Sequence, residues 1–184
     1  MLEIGIRAAP LLIARLRDLI EYVEGPRVAG DNTVKAFYSQ HDPVLAETVS
    51  PSETAGDALA DCIELLGLMK SEEAVPAIIK SLEIGTQAGR EPKPLHEIVA
   101  LKTIGAPAVP ALIDALGRAP VTARKHPYRP GERLIQTRMA FALAEIGDPR
   151  AIPALEDLIK LDPRFGRGFV AEAIAKMRRE QQSK

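Results

Sequence analysis

Four stretches of this chain repeat one pattern. They are Ile4-Gly5-x4-Pro10-Leu11-Leu12, Gly67-x8-Pro76-Ala77-Ile78, Ile104-Gly105-x4-Pro110-Ala111-Leu112 and Ile146-Gly147-x5-Pro153-Ala154-Leu155. Each closes on an apolar residue six past its proline: Leu16, Leu82, Leu116 and Ile159. Self-similarity at this spacing is the mark of a stacked repeat, and it restricts the architecture before anything else is read.

The pattern has a physical reading. Glycine enters the left-handed conformation that closes a helix without steric cost. Proline suits the first turn of a helix, where a missing N–H costs nothing. Glycine followed by proline is therefore a stop and then a start. The unit is helix A, a tight turn, helix B.

The columns support it. Aligned on the glycine, one residue before it stand Leu66, Ile104 and Ile146; four before, Ile63, Leu101 and Leu143; five before, Cys62, Ala100 and Ala142. Eight before stand Leu59, Glu97 and Met139, with Glu97 the misfit. Spacings of three and four share one helix face. Aligned on the proline, Ala9, Val75, Val109 and Ile152 precede it, and Leu12, Ile78, Leu112 and Leu155 stand two beyond it. One beyond it stand Leu11, Ala77, Ala111 and Ala154, mostly small, as close helix packing requires. A lone helix pair cannot bury such a face, so neighbours must stack.

The prolines at 10, 76, 110 and 153 are separated by 66, 34 and 43 residues. The last two intervals fit one helical pair each. Residues 26–53 are then an insertion or a degenerate repeat; Asp42-Pro43 and Ser50-Pro51 offer further helix starts there, and Phe37 and Tyr38 are expected to pack. The expected fold is all-α: a right-handed α-solenoid of about four repeats in one domain over residues 1–184. It comprises a half-repeat over 1–25, with its helix B at 10–24, repeats over 54–90, 95–120 and 134–162, and a capping helix over 168–184. In that cap Val170, Ala173, Ile174 and Met177 match the helix-A columns, and Arg178 replaces the closing glycine.

This pattern resembles the HEAT-like repeats of the phycobilisome-lyase type, most closely over Ala142-Leu143-Ala144-Glu145-Ile146-Gly147-Asp148-Pro149-Arg150-Ala151-Ile152-Pro153-Ala154-Leu155. Residues 95–117 and 58–83 are further copies. The resemblance implies a solenoid, and it brings in a bilin lyase or chromophore chaperone as an alternative function. No catalytic residue for such a lyase stands out. Fold alone does not assign function.

The chain has 24 basic and 25 acidic residues, for a net charge of −1. General nucleic-acid binding usually shows a basic excess. With no Trp and an isoelectric point near 6.3, a HEAT-like DNA-repair glycosylase is the least favoured alternative. One cysteine excludes an intramolecular disulfide. Charges in the first twenty residues interrupt any signal-peptide core, and no run approaches the roughly 20 apolar residues of a membrane span. A cytoplasmic protein without a membrane partner is the expectation.

Catalytic chemistry is sparse. His96-Glu97 resembles the His-Glu pairs with which deoxyhypusine hydroxylase, another HEAT-like protein, holds two irons. The matching positions here are Ala58-Leu59 and Arg138-Met139, so that site cannot be assembled. A metal needs three or four convergent ligands, and His41 and His126 have none at helical spacing apart from the turn residue Asp42. Cys62 shares its column with Ala100 and Ala142, so it reads as a core thiol. No cofactor and no catalytic residue is expected.

Charge is distributed unevenly. All connections from helix B to the next helix A emerge on one edge. Their net charges are +1 over 85–94 (with Arg90 and Lys93), +4 over 117–133 (with Arg118, Arg124, Lys125, Arg129 and Arg133) and +2 over 160–168 (with Lys160, Arg164 and Arg167). The A-to-B turns are neutral or negative. The longest connection places Tyr128 between Pro127 and Pro130 among these cations, and Tyr and Arg are frequent binding anchors. The expected function is a non-enzymatic scaffold that holds a protein with an acidic surface through Arg90, Lys93, Arg118, Arg124, Lys125, Tyr128, Arg129, Arg133, Arg164 and Arg167. The groove residues four beyond each proline, Ala14, Lys80, Asp114 and Asp157, are mixed and not aromatic, so a flat ligand is poorly served. The apolar start, Met1, Leu2 and Ile4, invites a homo-oligomer through the first half-repeat.

Overall fold

A computed structural model of the chain describes residues 2–24, 55–87, 96–118, 130–166 and 168–183. The segment 26–53, with Phe37 and Tyr38, lies outside the described residues. Within them the chain is all-helical, with eight α-helices and no strand. In chain order these are α1 (Leu2–Glu24), α2 (Ala55–Leu68), α3 (Val75–Gln87), α4 (His96–Ile104), α5 (Val109–Arg118), α6 (Pro130–Ile146), α7 (Ile152–Leu161) and α8 (Phe169–Gln182).

The helices form two layers. The helices A, α2, α4, α6 and α8, lie side by side in sequence order. The helices B, α1, α3, α5 and α7, do the same, and each also packs on the helix A that follows it. Residues from all eight helices contribute to one continuous apolar core.

The A-to-B turns follow the stop-and-start logic. Gly105 and Gly147 take φ of 79° and 72°, and their N–H groups donate back to Leu101 and Leu143 at 2.9 and 3.1 Å. A three-residue 3-10 turn follows in each case, Ala106–Ala108 or Pro149–Ala151. Pro110 and Pro153 then sit second in their helices. The chain swings by 108° between His96–Ile104 and Ala106–Arg118.

Two expectations need correction. Gly67 does not close its helix: α2 continues to Leu68, and the left-handed residue is Lys70 (φ 51°). Gly67 is needed for space, because a Cβ there would lie 2.7 Å from the Ala100 Cα on α4. The second correction concerns the start. No turn separates Gly5 from Pro10; α1 runs unbroken from Leu2, with Pro10 inside it. Ile6, Arg7, Ala8 and Ala9 contain no capping residue to open a new helix, so α1 continues through Pro10 despite the lost backbone bond and ring clash, about 3 kcal/mol, of an internal proline. The other turns carry Ser71, Ala106-Pro107 or Asp148-Pro149, which favour leaving the helix.

The columns are largely buried as read. Ile63, Leu101 and Leu143 are fully buried, as are Ile78, Leu112 and Leu155. Burying each such side chain contributes about 1.5–3 kcal/mol. The small-residue column holds at Ala77, Ala111 and Ala154 but not at Leu11, which is 74% exposed.

Candidate binding surface

On the edge carrying the A-to-B turns, the Asp148–Arg150 turn matches its charges locally. The Asp148 carboxylate accepts the Arg150 backbone N–H at 2.9 Å and the Arg150 guanidinium at 2.7 Å. That pairing with Arg150 holds the Asp148 carboxyl below the usual carboxylate range. Arg150 Nη2 also donates to the Ala106 carbonyl at 2.8 Å, tying two successive turns together.

The B-to-A connections, expected on the opposite edge, lie largely outside the described residues. Arg90, Lys93, Arg124, Lys125, Tyr128, Arg129 and Arg167 lie outside the described residues, as does the side chain of Arg133. Arg118 ends α5 and is exposed, where a cation also opposes the partial negative charge of the helix end. Arg164 is exposed too, but its guanidinium Nε and Nη2 each donate to Asp162 at 2.8 Å. Lys160 donates to Asp157 at 2.7 Å. A linear sum of charges misses such pairing: Asp157 and Lys160 stand one helical turn apart, and Asp162 also accepts the backbone N–H of Arg164 at the start of the 3-10 turn.

Beneath this edge lies a polar cluster that the column pattern only half announces. Ser81 on α3 donates to Glu97 on α4 at 2.9 Å. Arg138 on α6 is 4% exposed, and its Nε is buried without a hydrogen-bond partner. Burial pushes the Arg138 guanidinium below its ordinary pKa, and the charge of Glu97 pushes it back up. Gln136 is buried as well. The misfit Glu97 in an otherwise apolar column was the available signal. A carboxylate half-buried at a core position calls for hydrogen bonds and an opposite charge nearby, and one repeat later Arg138 aligns with the neighbouring His96.

The remaining chemical candidates resolve into structure. Cys62 is buried and free; burial pushes its thiol pKa up, Arg15 pulls it partly back and Asp61 adds to the rise. That is the reverse of what an activated nucleophile needs. His96 is exposed, with Nδ1 3.9 Å from the Glu64 carboxylate. Among the described residues no group of three or more His, Cys, Asp or Glu is placed to hold a metal ion. No single described helix is long and apolar enough to cross a membrane.

The outer face of the helix-B layer is regular. Ala14, Lys80, Asp114 and Asp157, each four beyond its proline, are all exposed, one from each successive helix B. The helix-A layer is tied across by Lys102 on α4, which donates to Glu145 on α6 at 2.6 Å, and by an edge-to-face contact of Phe141 on α6 with Phe169 on α8, with ring centroids 5.3 Å apart.

Compared with known proteins, residues 135–160 match the PBS lyase HEAT-like repeat family. No curated protein and no solved structure matches the chain. The matched segment covers most of α6, the Pro149–Ala151 turn and nearly all of α7, and α2–α3 and α4–α5 repeat that helix–turn–helix arrangement. Residues 135–160 are thus a HEAT-like repeat of the PBS lyase type.

Proposed function

We propose that this chain is a non-enzymatic scaffold that holds an acidic protein partner. The contact surface is the basic edge of the B-to-A connections together with the adjoining face of the helix-B layer, on a right-handed stack of about four repeats. The observation that carries the reading is the regular exposure of Ala14, Lys80, Asp114 and Asp157. Stacked helices that share one core present outward positions at repeated intervals, which suits an extended partner surface. The exposed Arg118 lies at the edge of that face. The A-to-B edge is the poorer candidate, because its turns sum to a neutral or negative charge.

Affinity purification followed by native mass spectrometry identifies the partner, its stoichiometry and any bound small molecule in one step. The variant with Arg124, Lys125 and Arg129 all changed to Ala then binds that partner more weakly, and the salt dependence of binding flattens. Equal affinity and an equal salt slope in the triple variant refute the rim. Recovery of a bilin instead of a protein refutes the adaptor reading.

A further inference from the structure

Arg138 is the most enclosed charged residue among those described. It is 4% exposed, and its Nε is buried with no hydrogen-bond partner. Asp162 shows what a buried charge ordinarily receives: it accepts the Arg164 backbone N–H at 3.1 Å and the Arg164 guanidinium at 2.8 Å. Packing does not demand an arginine at 138. The aligned residue on α2 is Ala58, which is buried, and on α4 it is His96, which is exposed.

Arg138 sits on α6, against which both α3 and α4 pack. Glu97 of α4 acts on it through charge. Among the described residues no ion pair or hydrogen bond joins the two. The Glu97 carboxylate is partly buried; its Oε1 accepts from Ser81 on α3 at 2.9 Å, and its Oε2 accepts from no described residue. His96, next to Glu97, is exposed, so the cluster reaches the surface at the start of α4.

Charge and hydrogen bonding are separate demands. Glu97 answers the charge of the guanidinium, but nothing answers its Nε–H. A second carboxylate, or a phosphate, would satisfy that donor and leave an excess negative charge in a desolvated place. A neutral acceptor has no such cost. A planar amide supplies one: its carbonyl oxygen accepts, and its N–H, on a different atom, donates. Glu97 Oε2 is the acceptor for that N–H, and hydrogen bonds to ionised groups are the stronger kind.

We infer that Arg138 and Glu97 form a binding site for a neutral amide group, with Arg138 Nε donating to its carbonyl and Glu97 Oε2 accepting its N–H. A protein carries this group in Asn and Gln side chains and in its peptide bonds. The inference deepens the scaffold reading and rests on it for the source of the amide. Arginine is a frequent anchor at protein interfaces.

Isotope-labelled arginine makes each Nε–H visible by NMR, and the Arg138 signal is the one lost in Arg138→Lys. The full chain is titrated at one ionic strength with four probes. Acetamide stands in for an Asn or Gln side chain and N-methylacetamide for the backbone; acetate and ethanol are the charged and single-atom alternatives. Concentrations run from about 1 to about 300 mM, because probes of so few atoms bind weakly. An amide moves the Arg138 signal along a saturating curve and binds about tenfold more tightly than acetate; the tighter amide names the source. Glu97→Gln reverses that order in favour of acetate, because the guanidinium charge is then unanswered. The wild-type titration decides by itself if Glu97→Gln does not fold. An Arg138 signal that neither amide moves overturns the inference, as does acetate or ethanol matching the amides. The titration contains no partner, so its failure leaves the scaffold reading standing, and failure of the rim variants leaves this site standing.

Discussion

The α2–α4 seam and the α4–α6 seam draw on the same sequence columns, yet they close in different ways. At the first, backbone meets backbone: Gly67 lies so near Ala100 that a Cβ would reach within 2.7 Å of its Cα. At the second, side chains bridge the helices. Lys102 pairs with Glu145 at the surface, and Glu97 acts on the buried Arg138 beneath. The glycine column is therefore one column in sequence and two in function. Gly67 is needed for space, in a helix that tolerates other residues. Gly147 is needed for its φ of 72°, in surroundings that leave a Cβ with nothing within 4 Å.

The largest change comes from Leu101→Ala. Leu101 is fully buried on α4, the helix common to both seams. Its truncation is expected to cost about 2–5 kcal/mol in urea unfolding, and a smaller loss means the site collapses around the cavity. The two glycines separate next. Gly67→Ala is expected to cost about 1–3 kcal/mol through overpacking, and Gly147→Ala about 1–2 kcal/mol through a left-handed backbone. Asn tells the causes apart. It tolerates the left-handed region, so Gly147→Asn is milder than Gly147→Ala. Gly67→Asn is worse than Gly67→Ala, because only volume matters there. Equal ranking at both positions removes the distinction. The smallest effect belongs to the surface pair. A double-mutant cycle of Lys102→Ala with Glu145→Ala is expected to yield a coupling of about 0.2–1 kcal/mol that shrinks with salt. A coupling that persists in high salt makes this a buried bridge, contrary to side-chain exposures of 55% and 37%.

Much of the architecture was readable from local rules. Apolar columns three and four apart name the buried faces, and glycine and proline mark where α4, α6, α5 and α7 stop and start. Cys62 was readable as core because its column elsewhere holds alanine. Legibility failed where a residue answers a neighbour distant in sequence. Gly67 meets Ala100 across thirty-three positions, and nothing near Gly67 announces that contact. Arg138 becomes intelligible only once α3, α4 and α6 converge on it. The uninterrupted α1 failed for a different reason: Gly5 and Pro10 match the punctuation, but the residues between them give the chain no cause to leave a helix. The charge count over 160–168 treated Lys160 and Arg164 as display, whereas Asp157 and Asp162 hold both.

Sequence by itself determined that this chain forms helical pairs and which face of each is apolar, because those properties are set within a turn or two of backbone. It also determined that no pair is stable alone, since each has more apolar face than it can cover. Tertiary structure decided which helix meets which closely enough to demand glycine, and which buried charge finds an opposing one. Those outcomes depend on the spacing of stacked helices, and contacts between layers are absent from any short window of the chain.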